Sequence, residues 1–414
     1  MNDYNINTVY NCLPILQCKQ FTELMYIVLY HKKIPNSLQI ISDLIPLSNI
    51  NAKNENGWTA LMIASANTKN DVDIDIVKLL LNSGADINSV NNIGETALML
   101  CSQYSNIFST PNTVKLLLEY GADPNIKSYQ NYTALVLSCM YSGTDSNNET
   151  VELLLKNDAD VNLTCYDNMT ALYISCGITK KYSHIDTVRL LLKYGANINI
   201  QESRNGWTPL ILACNYYTTS SNIETVELLL NSGADVNIID KYGTNALFFA
   251  TIVERNDDDP KVVKMLIDTG TNVNIINYCN CNPLLWLIRN GNNNRKMIKL
   301  LLDARSDYNL VDNNGKTILD YIKDDQEIQN IIYIIEKTKN NKNIIHNQIK
   351  KVTYSYLYKY DGMRYKLLSM KWNIYKNNLR GLIKLGNLEV LDYLCVNDIP
   401  SINEKVLDAI KWMD

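Results

Sequence analysis

Histidine is scarce in this chain. The three present in 414 residues, His31, His184 and His346, make no H-x-x-x-H, no nucleophile partner and no acid–base pair along the sequence. A phosphate-cradling G-x-x-x-x-G-K-[ST] and a dinucleotide G-x-G-x-x-G are both missing, so nucleotide binding has no sequence support. No catalytic residue, cofactor or small-molecule substrate is therefore expected. Basic excess is missing too: 39 Lys and Arg stand against 43 Asp and Glu, a net charge of -4, which argues against a general nucleic-acid binder. Long apolar runs are absent. The opening "MNDYNINTVYNCLPILQCKQ" has no basic n-region and no small-residue cleavage pattern, and "LMYIVLY" (24–30) falls far short of the roughly 18 residues that cross a bilayer. A soluble, intracellular, monomeric protein without membrane contact is the expectation.

What is present is repetition. "NGWTALMIASANTKNDVDIDIVKLLLNSGADIN" (56–88) returns as "NGWTPLILACNYYTTSSNIETVELLLNSGADVN" (205–237). Aligned on the residue that opens each T-A/P-L, the register runs Thr59, Thr96, Thr133, Thr170, Thr208, Asn245, Asn282 and Thr317, in steps of 37, 37, 37, 38, 37, 37 and 35. Projected backwards, the same step reaches Thr22 in a degenerate opening unit. Within a unit the Thr or Asn predicts a side-chain helix cap, with Pro209 tolerated at the first helical position. A short apolar helix, a polar insert and a second helix with Val226, Leu229 and Leu230 at helical spacing follow, and Gly233 stops the second helix. Two helices this short are marginal alone. Stacked copies bury one another's apolar faces in a one-dimensional array.

The order T-A/P-L, then V-x-L-L-L-x-x-G-A-D-V/I-N, then Gly two residues before the next Thr, resembles the ankyrin repeat. The resemblance implies an all-α solenoid of helix-turn-helix units with hairpin-like turns, and protein binding without chemistry. About nine units are read: 21–56, 57–93, 94–130, 131–167, 168–205, 206–242, 243–279, 280–314 and 315–338, after an opening segment 1–20 and before a helical tail 339–414. The family's usual unit is about 33 residues, so the extra four fall between the helices. The family's His in T-P-L-H is replaced by Met62, Met99, Val136, Tyr173, Ile211, Phe248 and Leu285, apolar packing in place of a polar tie. Asp158 and Arg305 stand where the Gly stop belongs, and a different helix end is expected there because a left-handed Arg costs on the order of 1 kcal/mol. The Asn/Ser/Thr-rich inserts are similar in style to ankyrin proteins of giant DNA viruses of amoebae, which implies a viral protein in the host cytoplasm.

Ten cysteines are spread too thinly for a disulfide scaffold. Cys101, Cys139, Cys176 and Cys214 recur near one helix position, where stacked helices stand about 8–10 Å apart, beyond the roughly 7 Å reach of a disulfide. They read as small core residues. Cys279-x-Cys281 has no second pair at zinc spacing, so no metal is expected. The Asn that closes each "ADVN" (Asn88, Asn125, Asn162, Asn199, Asn237, Asn274, Asn309) reads as a turn tie, with side-chain modification as the alternative.

Aromatic residues form three columns: Trp58, Tyr132 and Trp207 one before the capping position; Tyr129, Tyr166 and Tyr278 four before; Tyr104, Tyr141 and Tyr216 eight after. The resemblance places these columns across the concave side, and Trp and Tyr anchor interfaces, so these nine are the candidate partner-binding residues. Trp58 and Trp207 are expected at exposed turn tips. The tail carries a helix-pair-like "NNLRGLIKLGNLEVLDYL" (377–394) and "DIPSINEKVLDAI" (398–410). It reads either as a cap or, by similarity to the F-box-like segments of viral ankyrin proteins, as a ubiquitin-ligase adaptor. The primary expectation is an interaction scaffold for a partner the sequence does not name; substrate adaptor and virion or host-factor-sequestering protein are the alternatives.

Overall fold

A computed structural model of the chain describes residues 21–330 and 332–333, apart from 70, 142–145, 183–184, 218–221, 254–259, 293 and 323–327. The tail 339–414, with both of its readings, lies outside the described residues. The described chain is a succession of helix pairs. First helices are α1 (Glu23–Tyr30), α3 (Ala60–Ser65), α5 (Ala97–Gln103), α7 (Ala134–Met140), α9 (Ala171–Tyr182), α11 (Pro209–Tyr216), α13 (Ala246–Val253), α15 (Pro283–Arg289) and α17 (Ile318–Tyr321). Second helices are α2 (Ser37–Leu44), α4 (Asp71–Asn82), α6 (Pro111–Glu119), α8 (Asn148–Lys156), α10 (Ile185–Lys193), α12 (Ile223–Asn231), α14 (Lys261–Asp268) and α16 (Arg295–Asp303). First helix packs on first helix through the whole series, and from α2 to α14 second helix packs on second helix, as a stacked array requires.

The caps form as the register predicts. The side chains of Thr22, Thr59, Thr96, Thr133, Thr170 and Thr208 accept the amide three residues on at 3.2–3.3 Å. Asn245 and Asn282 do the same at 3.4 and 2.8 Å, so an acceptor oxygen is what the position needs. The residues replacing the family His are buried, Met62, Met99, Val136, Ile211 and Phe248 at 1% exposure and Leu285 at 0%, and the stacking passes through them without a break.

Asp158 and Arg305 differ from expectation. Both adopt the left-handed conformation, φ 61° and 67°, that Gly84, Gly121, Gly195, Gly233 and Gly270 take at equivalent positions. The reason is a contact from the preceding unit: Asn125 Nδ2 donates to the Asp158 carbonyl at 2.9 Å and Asn274 Nδ2 to the Arg305 carbonyl at 3.1 Å. Surrounding structure can hold a residue in such a conformation against its local cost.

Those bonds belong to a spine along the array. Asn51, Asn88, Asn125, Asn162, Asn199, Asn237 and Asn274 accept, through Oδ1, the amides of Asp86, Asp123, Asp160, Asn197, Asp235, Asn272 and Asp307 of the following unit at 2.7–3.0 Å. The repeated Asn thus ties adjacent units, beyond the single turn that sequence alone suggests. A second ladder joins the hairpin tips: the amides of Asn92, Tyr129, Ser203, Lys241, Tyr278 and Asn313 donate to carbonyls of Asn56, Ile93, Asp167, Asn205, Tyr242 and Cys279. Approach at the tip is close, since a Cβ on Gly94 would lie 2.7 Å from the Tyr129 amide nitrogen.

The polar inserts are partly interior. Thr68, Ser105, Ser109 and Ser146 are buried, with Thr113 Oγ1 2.5 Å from Thr68 Oγ1 and Thr150 Oγ1 donating to Ser105 Oγ at 2.8 Å. Burial of hydroxyls in this arrangement is tolerated because each finds a partner.

Candidate partner-binding surface

Six hairpin turns are built on one polar side chain five or six residues before the cap. Asn54, Asn91, Asp240, Asn277 and Asp312 accept two amides apiece from their own turns, fixing where the tip residues stand. In the unit after the 38-residue step the turn is one residue longer: Glu202 takes the amides of Arg204, Asn205 and Trp207, and the added Arg204 reaches back to Asp167 at 2.7 Å. The extra residue of that step therefore lies in the hairpin.

This frame separates the three aromatic columns. The column one before the cap turns inward. Trp58 is 3% exposed and part of the core, which corrects the expectation of an exposed tip; its ring has core apolar side chains to pack on. Tyr132 and Trp207 are half-buried against the core. Trp207 meets Phe249 edge-on at 4.9 Å and donates through Nε1 to Asp240 at 3.3 Å, so it too is held by the array. The column four before the cap faces solvent, with Tyr129 at 73%, Tyr278 at 66% and Tyr166 at 44% exposure. Of the column eight after, Tyr216 is exposed while Tyr104, edge-on to Phe108 at 5.9 Å, and Tyr141 lie half-buried.

Contacts between neighbouring turns join the columns. Tyr132 and Tyr166 meet at 5.6 Å with planes 85° apart. Burial pushes the Tyr132 phenol well above its ordinary value, with Tyr166 adding to the shift. Tyr242, missed by the register because it sits three before its cap, is 52% exposed and packs on Tyr278 at 5.9 Å. A search for aromatics at either tip position of neighbouring turns would have found it. Ile93, Ile239, Ile276 and Val311 are also exposed near the tips.

The cysteines at the helix ladder, Cys101, Cys139, Cys176 and Cys214, are free and buried. Burial raises the thiols of Cys101 and Cys176, and that of Cys139 to about 12. Cys281 is buried and receives Arg289 Nη1 at 3.6 Å. Among the described residues no cluster of three or more His, Cys, Asp or Glu is placed to hold a metal ion, and no helix is long and apolar enough to cross a membrane.

His31, isolated in sequence, is paired in space. Its Nε2 lies 2.6 Å from Asp73 Oδ1 across 42 residues, its Nδ1 2.8 Å from the Val28 carbonyl, and Lys32 Nζ 3.0 Å from the other Asp73 oxygen. No periodicity could have shown this, because the partner lies in the first turn of α4, in the next unit. The pair is buried and ties α1's end to α4.

A family model described as "Ankyrin repeats (3 copies)" matches residues 24–128, 108–202 and 178–277, together more than half of the chain. Three proteins of Acanthamoeba polyphaga mimivirus described as ankyrin repeat proteins are similar. L86 is 42% identical over 85 residues, covering 20% of this chain and 15% of L86. L122 is 33% identical over 134 residues, 32% of this chain and 21% of L122; L289 is 45% identical over 73 residues, 17% and 13%. The matched stretches thus span about a fifth or less of these relatives. The crystal structure of the ankyrin repeat domain of Bcl-3, an IkappaB family member, aligns at 27% identity and a TM-score of 0.48, covering 60% of this chain and all of that one.

Proposed function

Because the chain belongs to the ankyrin-repeat family, we propose that it is a non-enzymatic scaffold that binds a partner protein along its row of hairpin turns, the side on which the family resemblance places the concave face. The observation that carries this reading is the exposure of Tyr129, Tyr166, Tyr242 and Tyr278 on consecutive or near-consecutive turns. Large rings held out to water on a rigid frame favour interface anchoring, since they lose little conformational entropy on binding. The mimivirus relatives support a viral setting, with the partner met in the cytoplasm of the host. Affinity purification from infected host cells, followed by calorimetry with the purified partner, tests the reading. Tyr129→Ala combined with Tyr278→Ala is expected to weaken the partner at least about tenfold, with the melting temperature almost unchanged. Full affinity in that variant would move the binding surface elsewhere.

A further inference from the structure

Along the turns from Arg204 to Lys316 the charges are sorted by depth. The carboxylates of Glu202, Asp240 and Asp312 are 4–5% exposed and occupied by their own turns. Glu202 accepts three amides; Asp240 accepts two and the Trp207 indole; Asp312 accepts two, the Tyr321 hydroxyl at 2.6 Å and Arg289 at 3.3 Å. A carboxylate ringed by donors in this way has little left to offer a ligand. The cations stand outside them. Among the described residues Lys241 bonds to a neutral carbonyl, that of Ser203, Lys316 lies over the Tyr321 ring at 5.3 Å, and neither has a carboxylate partner within ion-pair distance. Arg204 is 71% exposed although it touches Asp167. Lys241 takes the tip position that Tyr129, Tyr166 and Tyr278 take in other turns, and Lys316 the position of Trp58 and Trp207. Cations and aromatic rings thus share one row, with the paired rings of Tyr242 and Tyr278 between the two lysines.

We infer that this row receives an extended acidic segment of the partner, its carboxylates meeting Arg204, Lys241 and Lys316 and an apolar or aromatic side chain lying on Tyr242 and Tyr278. The inference rests on the reading of the hairpin row as the binding surface and adds the chemistry of what binds. Complementary charge at such a surface steers encounter and excludes wrong partners, while the rings supply contact area.

The test uses the full chain and two fluorescein-labelled peptides of equal length, one alternating Glu and Tyr, the other Lys and Tyr, followed by anisotropy at low and at about 0.3 M salt. The Glu/Tyr peptide is expected to bind at least about tenfold tighter than the Lys/Tyr peptide, with the margin shrinking in salt. Lys241→Glu with Lys316→Glu, both at exposed sites, should abolish the preference without changing circular dichroism. No binding of the Glu/Tyr peptide, equal binding of both peptides, equal binding of a single-stranded oligonucleotide, or an unchanged preference in the reversed variant would each overturn the acidic-segment inference. If Tyr242→Ala with Tyr278→Ala still weakens the purified natural partner, the hairpin-row reading survives that failure; if it does not, both fall.

Discussion

Replacing Asp73 with Asn tests whether the opening unit is locked to the array by charge. Asp73 is 2% exposed and accepts from His31 at 2.6 Å, Lys32 at 3.0 Å and the Lys69 amide at 2.7 Å. An ionised Asp73 can only accept, so His31 Nε2 donates to it, with Nδ1 against the Val28 carbonyl. Burial alone would raise the Asp73 carboxyl, but the bonds from His31, Lys69 and Lys32 outweigh it and hold the group at about 2, below its ordinary value of 3.8. That difference corresponds to about 2 kcal/mol of stability, the same order as breaking a buried pair, about 3–5 kcal/mol, reduced because Lys32 remains one-third exposed. The sign follows from a depressed folded value: the contribution is complete above 3.8 and disappears as pH falls through about 2. Asn keeps the shape and removes the charge, so the gap between wild type and Asp73→Asn in urea unfolding should be about 2 kcal/mol at pH 7 and shrink progressively below about pH 4. In a stacked array a local defect stays local. Hydrogen exchange should therefore quicken in α1, α2 and the start of α4 while α11 to α14 keep their protection. A gap of the same size at pH 7 and pH 3, or loss of protection spread through the last units, would refute the charge-lock reasoning.

Three further outcomes are expected. Asn125→Ala deletes bonds to the Asp160 amide and the Asp158 carbonyl and should cost about 1–2 kcal/mol in urea unfolding, with Asn125→Asp, which keeps only the acceptor, intermediate. Asp158→Gly, at a position held at φ 61°, should stabilise by about 1 kcal/mol in the same assay, since the Asn125 bond reaches a carbonyl that Gly also supplies. Trp58→Ala should lower stability by about 3–5 kcal/mol because the ring is buried, whereas Tyr129→Ala should change it by only about 0.5 kcal/mol; thermal melts of the two variants separate the inward column from the outward one.

Periodicity made much of this molecule legible. Thr59 and its equivalents announce their caps, Leu229 and Gly233 the body and end of a second helix, and the spacing of the whole the stack, because caps, apolar faces and left-handed stops are local requirements repeated at each step. Even the substitutions at Asn245 and Asn282 could be read, since the cap needs only an acceptor. The candidate surface was legible by half. Tyr129, Tyr166 and Tyr278 face water as tip residues should, yet Trp58 carries the same periodic signature and is core, because whether a ring is covered depends on the neighbouring unit and not on its own. The left-handed Asp158 and Arg305 belong to the same class: their local preference opposes the conformation, and an Asn from the preceding unit imposes it. His31 with Asp73 had no signal in spacing at all, and the place of Glu202, Asp240 and Asp312 five or six residues before the cap does not tell that they sink beneath exposed lysines. Burial and pairing are set between units, where residues dozens of positions apart meet, and a sequence states its local geometry far more directly than it states those meetings.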